Sequence, residues 1–177
     1  MNKQQEKKGY VQVYTGNGKG KTTASLGLAF RAMGLGLKTY IGQFLKGQKY
    51  AELESAKLCN PYITIEQYGS NSLVNNPMQK EDIRMAKEGL DKARKALFSG
   101  EYDIVIFDEI NTANCFDLIT TEEMLELIRT KPENVEIIFT GRYAPQEIIE
   151  EADLVTEMVQ VKHYYEKGVP ARKGIER

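Results

Sequence analysis

The sequence predicts an α/β fold: a single domain on a mostly parallel sheet with helices on both faces. Three observations lead there. Short apolar segments alternate with amphipathic ones along the 177 residues in strict strand–helix succession, which requires crossover connections. Ile104-Val105-Ile106-Phe107 is apolar without interruption, as a strand buried on both faces demands. A glycine-rich loop and the pair Asp108-Glu109 both fall at the carboxyl ends of strands, where such sheets hold ligands.

Each element follows from local pattern. Tyr10–Tyr14 reads as a first strand that ends at the glycine loop. Thr22–Met33 reads as a helix stopped by Gly34 and Gly36. Thr39–Phe44 is a second strand and Ala51–Leu58 a short helix. Tyr62–Tyr68, rich in β-branched and aromatic residues, is a third strand. Residues 69–77 form a polar loop. From Met78 to Phe98, the residues Ile83, Ala86, Leu90, Ala93 and Leu97 recur by threes and fours, the mark of an amphipathic helix. Tyr102–Phe107 is the central strand. Glu122–Arg129 is a helix with Thr120 or Thr121 as its N-cap. Val135–Thr140 is the next strand, and Pro145–Glu151 a short helix with proline near its start. Leu154–Val161 is the last strand, followed by a charged, glycine-containing tail.

Composition narrows the class. An apolar content of 41% supplies one continuous core, and the length suits one domain. The formal net charge of −1 argues against non-specific nucleic-acid binding. No apolar run approaches the roughly 20 residues of a membrane helix, and the polar start lacks a signal peptide's apolar stretch. Residues 1–9 read as a flexible tail ahead of a domain over 10–177, in a soluble, cytoplasmic protein. Cys59 and Cys115 lie far apart and form no metal or redox motif. They read as idle thiols in a reducing compartment.

The chemistry concentrates in Thr15-Gly16-Asn17-Gly18-Lys19-Gly20-Lys21-Thr22-Thr23, between a strand and a helix. The phosphate-loop pattern G-x-x-x-x-G-K-[ST] is met except at its first position, which is Thr15. Glycines let the backbone curl so that successive N–H groups face phosphate oxygens, and the helix adds its positive end. Lys21 is expected across the distal phosphates, with the Thr22 hydroxyl offered to Mg²⁺. Beside such a loop, Asp108 and Glu109 read as metal-side carboxylates, and spacing alone favours Asp108. Arg31, nine residues past Thr22, either reaches nucleotide or pairs with a surface acid. Arg142 stands at another strand's carboxyl end. His163, the only histidine, follows the last strand, and a lone histidine is more often structural than catalytic.

At these residues the sequence resembles the P-loop corrinoid adenosyltransferases, also called cob(I)yrinic acid a,c-diamide or cob(I)alamin adenosyltransferases. The resemblance runs from about Tyr10 to Glu176. It is carried by the glycine loop, Arg31-Ala32-Met33-Gly34, Gln43-Phe44-Leu45-Lys46-Gly47, Asp108-Glu109, Thr140-Gly141-Arg142, Ala152–Glu157, Val161-Lys162-His163 and the closing Gly168–Glu176. It implies a P-loop NTPase-type, RecA-like sheet. It accounts for Thr15, because the family's loops likewise lack the first glycine, and it implies ATP lying across the loop in the reverse of the usual direction. The implied reaction moves the 5′-deoxyadenosyl group of ATP to the cobalt(I) of a reduced corrinoid and releases triphosphate. Cobalt(I) is already a strong nucleophile, and the chain shows no Ser–His–Asp or Cys–His arrangement. The demand is for stabilising a highly charged leaving group and for holding C5′ in line with cobalt.

By this resemblance Lys21 and Glu109 are catalytic. Gly16, Asn17, Gly18, Lys19, Gly20, Lys21, Thr22, Thr23, Arg31 and Arg142 bind ATP. Thr22 and Glu109, with Asp108 beside them, hold Mg²⁺, and Phe44, Tyr68 and His163 lie on the corrinoid side. A homodimer and a flavoprotein reductant come with the resemblance, with neither nucleic acid nor membrane as partner. One departure stands out. The family often carries a Phe-x-Trp pair after the third strand, pressing on the corrinoid's lower face. Here the stretch reads Ser70-Asn71-Ser72-Leu73-Val74 in a chain without tryptophan, so either another aromatic such as Tyr68 takes over or the protein handles corrinoid differently. The short N-terminus also differs from a segment that can cover nucleotide in a family dimer. Two other readings use the same loop: an ATPase with Glu109 orienting water, releasing ADP and phosphate, and a nucleotide-sensing module without turnover.

Overall fold

The computed structural model describes residues 8–70 and 79–176. Six strands form one parallel sheet in the order β3-β2-β4-β5-β1-β6. They are β1 Val11–Thr15, β2 Thr39–Phe44, β3 Ile63–Tyr68, β4 Ile104–Asp108, β5 Glu136–Thr140 and β6 Leu154–Glu157. The connecting helices are α1 Lys21–Met33, α2 Ala51–Leu58, α3 Lys80–Phe98, α4 Ile110–Cys115, α5 Thr121–Thr130 and α6 Gln146–Glu151.

The two-residue pleat of β4 explains its unbroken apolar run. Val105 and Phe107 enter a core with residues of α3, α4, α5 and α6, while Ile104 and Ile106 enter a second core with α1. On α1 the residues turned inward are Lys21, Ser25, Ala29 and Ala32. The three small ones let the helix lie close to the sheet. α3 starts with a reciprocal box between Gln79 and Asp82, and α5 with one between Thr120 and Glu123, so both helices begin with satisfied N–H groups.

Four details differ from the sequence expectation. Ile83 is 41% exposed, so the buried stripe of α3 begins at Ala86. α4 was not expected: Ile110-Asn111-Thr112-Ala113-Asn114-Cys115 is poor in strong helix formers, and burial of Ile110 and Ala113 holds it. The last strand stops at Glu157 rather than Val161, because its partner β1 ends at Thr15. Beyond it, Tyr164–Lys167 form a 3₁₀ turn. Finally Gly9 belongs to the packed domain: its N–H donates to the Glu133 carbonyl at 2.7 Å and its carbonyl accepts from Lys131 Nζ at 2.8 Å. The rest of the expected tail, residues 1–7, and most of the polar loop, residues 71–77, lie outside the described residues. Among the described residues no helix is long and apolar enough to cross a membrane. Both cysteines are free, with Cys115 exposed.

Gly89 on α3 faces the Tyr68 ring, and a Cβ there would lie 2.2 Å from Tyr68 Cγ. Gly27 on α1 has nothing within 4 Å of such a Cβ. Alanine gains up to about 1 kcal/mol of helix preference at either site, whereas overpacking costs about 1–3 kcal/mol. Urea unfolding should therefore show Gly89→Ala destabilised and Gly27→Ala stabilised. A stabilised Gly89→Ala would show that the Tyr68 contact yields easily.

Candidate active site

β1 and β4 are not neighbours, since β5 lies between them. Their carboxyl ends nevertheless share one site. α1 carries Thr22 across the sheet, and the Thr22 hydroxyl donates to Asp108 Oδ1 at 2.9 Å. Thr140, at the end of the intervening β5, closes the gap. Its hydroxyl donates to the same Oδ1 at 2.6 Å and accepts the Glu109 N–H at 2.9 Å. The result is a cavity of about 530 Å³ walled by the loop from Asn17 to Thr23, by Lys46, Tyr50, Glu52 and Ser55, by Glu109 and Arg142, and by His163 with Gly174–Glu176.

The loop's glycines are sterically required. Gly16 and Gly20 have φ of 93° and 124°, a region side chains disfavour. A Cβ on Gly16 or Gly18 would meet the Met158 carbonyl oxygen at 2.5 or 2.7 Å. That carbonyl accepts the Gly18 N–H at 2.6 Å, while the Met158 N–H donates to the Thr15 carbonyl at 2.8 Å. The edge strand thus fixes the loop's outer side, and the Gly18 amide, expected to face phosphate, is used there instead. Gly20 caps α1 without any side-chain hydrogen bond, so the N–H groups of the first turn remain for an anion. Lys21 is only 7% exposed, and its Nζ donates to the carbonyls of Gly16 at 2.7 Å and Gly18 at 2.8 Å. Burial lowers its pKa, as does Arg142, while Glu109 and Asp108 pull the other way.

The two carboxylates differ sharply. Asp108 is 0% exposed. Oδ1 accepts the Thr22 and Thr140 hydroxyls, and Oδ2 accepts Gln43 Nε2 at 3.2 Å and Lys46 Nζ at 2.8 Å. Burial pushes the Lys46 pKa down, but neighbouring Asp108, then Glu52 and Glu109, raise it above the ordinary value. Glu109 leaves the strand in the left-handed region at φ 63°, a conformation costing a non-glycine residue on the order of 1 kcal/mol. Its carboxylate accepts the Thr112 hydroxyl at 2.6 Å and lines the cavity. Spacing favoured Asp108 for a metal ion, but the structure turns Asp108 inward and Glu109 into the cavity.

Hard oxygen donors at Thr22 and Glu109 suit Mg²⁺, which keeps waters and leans on phosphate oxygens. Among the described residues no three His, Cys, Asp or Glu side chains form a metal cage.

Three expected site residues stand elsewhere. Phe44 and Tyr68 are 0% and 5% exposed and pack edge to face at 5.5 Å in the core beneath α3. The Tyr68 hydroxyl pairs with that of Tyr40. Neither ring offers a face to a corrinoid, and Tyr68 cannot stand in for the missing aromatic pair, whose positions 71–74 lie outside the described residues. Arg31 sits in the last turn of α1, lining a second cavity of about 260 Å³ with Gln12, Leu28, Asp103 and Glu136. It lies ten residues beyond Lys21, on the order of 15 Å along the helix axis, so α1 carries it away from the loop of its own chain. Arg142 and His163 do line the main cavity. His163 also caps the 3₁₀ turn, its Nδ1 accepting the Tyr165 N–H at 3.1 Å.

Sequence reading missed Lys46, Tyr50, Glu52, Ser55 and the Gly174–Glu176 wall. Lys46 had a signal: it stands just past a strand's carboxyl end, the placement that singled out Asp108. The end of the tail is clamped by its own neighbours. Glu176 accepts from Arg172 Nη2 at 3.0 Å and from the Tyr164 hydroxyl, and Arg172, followed by Tyr164, draws its pKa down to about 2.

Comparison with known proteins adds a family match. A model described as ATP:corrinoid adenosyltransferase BtuR/CobO/CobP matches residues 7–177. A corrinoid adenosyltransferase of a Sinorhizobium species is 33% identical over 178 residues, covering 97% of this chain and 81% of that protein. The corrinoid adenosyltransferase of Escherichia coli K12 is 33% identical over 172 residues, covering 97% of this chain and 87% of its own length. The corrinoid adenosyltransferase CobA of Salmonella typhimurium is 31% identical with the same coverages.

Thr140→Val keeps the side-chain shape but removes one of the two donors to Asp108 Oδ1 and the acceptor of the Glu109 N–H. It should cost on the order of 1–3 kcal/mol in chemical denaturation. Thr130→Val removes an exposed hydroxyl bonded to the Glu126 carbonyl and should stay within about 0.5 kcal/mol of wild type. Equal effects at the two sites would contradict the bridging role of Thr140.

Proposed function

Because the chain belongs to the ATP:corrinoid adenosyltransferase family, we propose that this cavity transfers the 5′-deoxyadenosyl group of ATP to the cobalt(I) of a reduced corrinoid. One observation carries the assignment. Buried Lys21, the uncapped start of α1 and the Thr22–Asp108 bond converge beside Glu109 in a single cavity.

The cobalt(I) lone pair forms a bond to C5′ of ATP. The C5′–O bond breaks, and its electrons leave with the triphosphate. No side chain has to be deprotonated. Lys21 exchanges its two loop carbonyls for phosphate oxygens, an ammonium already desolvated and aimed. Lys19, Arg142 and the first-turn N–H groups of α1 complete the grip, with Asn17, Gly16, Gly18, Gly20 and Thr23 shaping it. The Thr22 hydroxyl and the Glu109 carboxylate would hold Mg²⁺, which supplies charge neutralisation on the leaving phosphates. Asp108, with all its lone pairs engaged, aims Thr22 rather than binding the ion. His163 and the closing segment form the wall toward the corrinoid.

The same reading carries a homodimer and a flavoprotein reductant that supplies cobalt(I), in the cytoplasm. Phe30 and Leu35, on and just past α1, are 64% and 84% exposed. They offer apolar area to a second copy.

Mg-ATP incubated with chemically reduced cobalamin should yield adenosylcobalamin and inorganic triphosphate in equal amounts. ADP formed without corrinoid would instead identify an ATPase. Lys21→Ala should lower transfer by about 100-fold or more with an unchanged circular-dichroism spectrum. Near wild-type turnover in that variant would remove Lys21 from the mechanism. Glu109→Gln should raise the magnesium requirement and slow turnover, measured as rate against magnesium concentration.

A further inference from the structure

Lys46 has no part in the chemistry above, yet it is the ammonium bound to the most deeply buried carboxylate of the site. Asp108 is 0% exposed, and Lys46 Nζ lies 2.8 Å from its Oδ2. Lys21 donates to the Gly16 and Gly18 carbonyls and makes no hydrogen bond to Asp108. A carboxylate taken out of water needs a counter-charge and filled lone pairs. Lys46 supplies the first, and with Gln43, Thr22 and Thr140 the second.

The arrangement of donors decides what Asp108 can do. Each of its oxygens already accepts two donors, so no lone pair is left for a cation. Its remaining influence on the cavity passes through Thr22. By accepting the hydrogen bond of the Thr22 hydroxyl, Oδ1 turns that oxygen's lone pairs away from the carboxylate. Without Lys46 the Oδ2 side loses its charge partner, and the carboxylate is free to rotate. That rotation releases Thr22.

Lys46 is itself immobilised. Its side chain is 15% exposed, with the Glu52 carboxylate 3.7 Å away and the Tyr50 ring centroid at 5.3 Å. Leu45, just before it, holds a left-handed φ of 60°. A lysine gives up about 2 kcal/mol of rotamer freedom when fixed this way, and Glu52 and Tyr50 at the start of α2 are also cavity wall. We propose that Lys46 is a positioning residue: it holds the Asp108 carboxylate in place so that Thr22 presents its oxygen to the nucleotide's divalent ion. It does so without touching the phosphates itself. The proposal rests on the Mg-ATP reading of the cavity.

The test is ATP binding by calorimetry on the full chain, once in EDTA and once across a magnesium titration. Lys46→Gln should raise the magnesium concentration for half-maximal effect by about 10–100-fold, the cost of losing an outer-shell partner. Affinity for ATP in EDTA should change less than about twofold on the same reasoning. Lys46→Arg, which keeps the charge, should recover most of the magnesium response. An equal loss of affinity in EDTA would make Lys46 a phosphate ligand, and an unchanged magnesium response would make it structural only. Either result overturns the proposal. Should Lys46→Gln fail to fold, the double variant Lys46→Gln/Asp108→Asn removes both buried charges. It should fold and show the raised magnesium requirement, and a wild-type requirement there overturns the proposal too. A wild-type chain that binds no ATP with or without magnesium overturns the functional reading instead, and this inference with it.

Discussion

Burying the Asp108 carboxylate at the end of the central strand constrains everything around it. Removing a charge from water costs several kcal/mol unless it is paired and hydrogen-bonded. The partners come from four separate places: Gln43 on β2, Lys46 just beyond it, Thr22 on α1 and Thr140 on β5. Strand order makes this possible. β2 and β5 flank β4, and the register sets Gln43 against Asp108. The carboxylate therefore joins three strands and the phosphate-loop helix at one point. If any of the four donors is missing, a buried charge is short of a partner.

The opposite rim of the loop is held by backbone instead. Met158, where β6 ends, clasps the loop through the Thr15 carbonyl and the Gly18 amide. A side chain at Gly16 or Gly18 would strike that clasp. The loop is thus formed between an edge strand and a central one, and its glycines answer to packing as well as to phosphate. This bears on the departure at Thr15. Thr15 is the last residue of β1, 9% exposed, and its hydroxyl accepts the Ala144 N–H at 3.3 Å. The first position of the motif here belongs to the strand and needs no glycine.

Local pattern made most elements legible. β2 and α2 match their expected limits residue for residue, because a strand flanked by charged and glycine residues and a short helix are both local statements. The glycine loop and the carboxylate pair were legible as partners because both end strands. Facts set by the third dimension were not. Phe44 and Tyr68 occupy strand-end positions that suggest a site, but the pleat sends them under α3, where Gly89 leaves room for the Tyr68 ring. Arg31 looked near in sequence, yet α1 carries it toward the other end of the sheet. α4 exists because Ile110 and Ala113 are buried, against weak intrinsic preference. The choice between Asp108 and Glu109 turned on a left-handed backbone at Glu109, and nothing in a non-glycine residue announces that.

The distribution of charge in the cavity fits a reaction limited by its leaving group. Lys46 is paired with Asp108, and the other Lys and Arg side chains lining the cavity are Lys19, Lys21 and Arg142, with Glu109 among them. Groups that bind ATP and transition state equally well lower no barrier. Here the two states differ in charge. As the C5′–O bond breaks, the phosphate chain gains one full negative charge and the departing triphosphate is more anionic than the ATP that entered. A desolvated ammonium and fixed helix N–H groups therefore interact more strongly as the bond lengthens. The uncapped start of α1, together with a buried lysine held on loop carbonyls, is suited to that increment. This explains how the site works without a general base: the charge it must meet develops on the phosphates, and the nucleophile arrives already reduced.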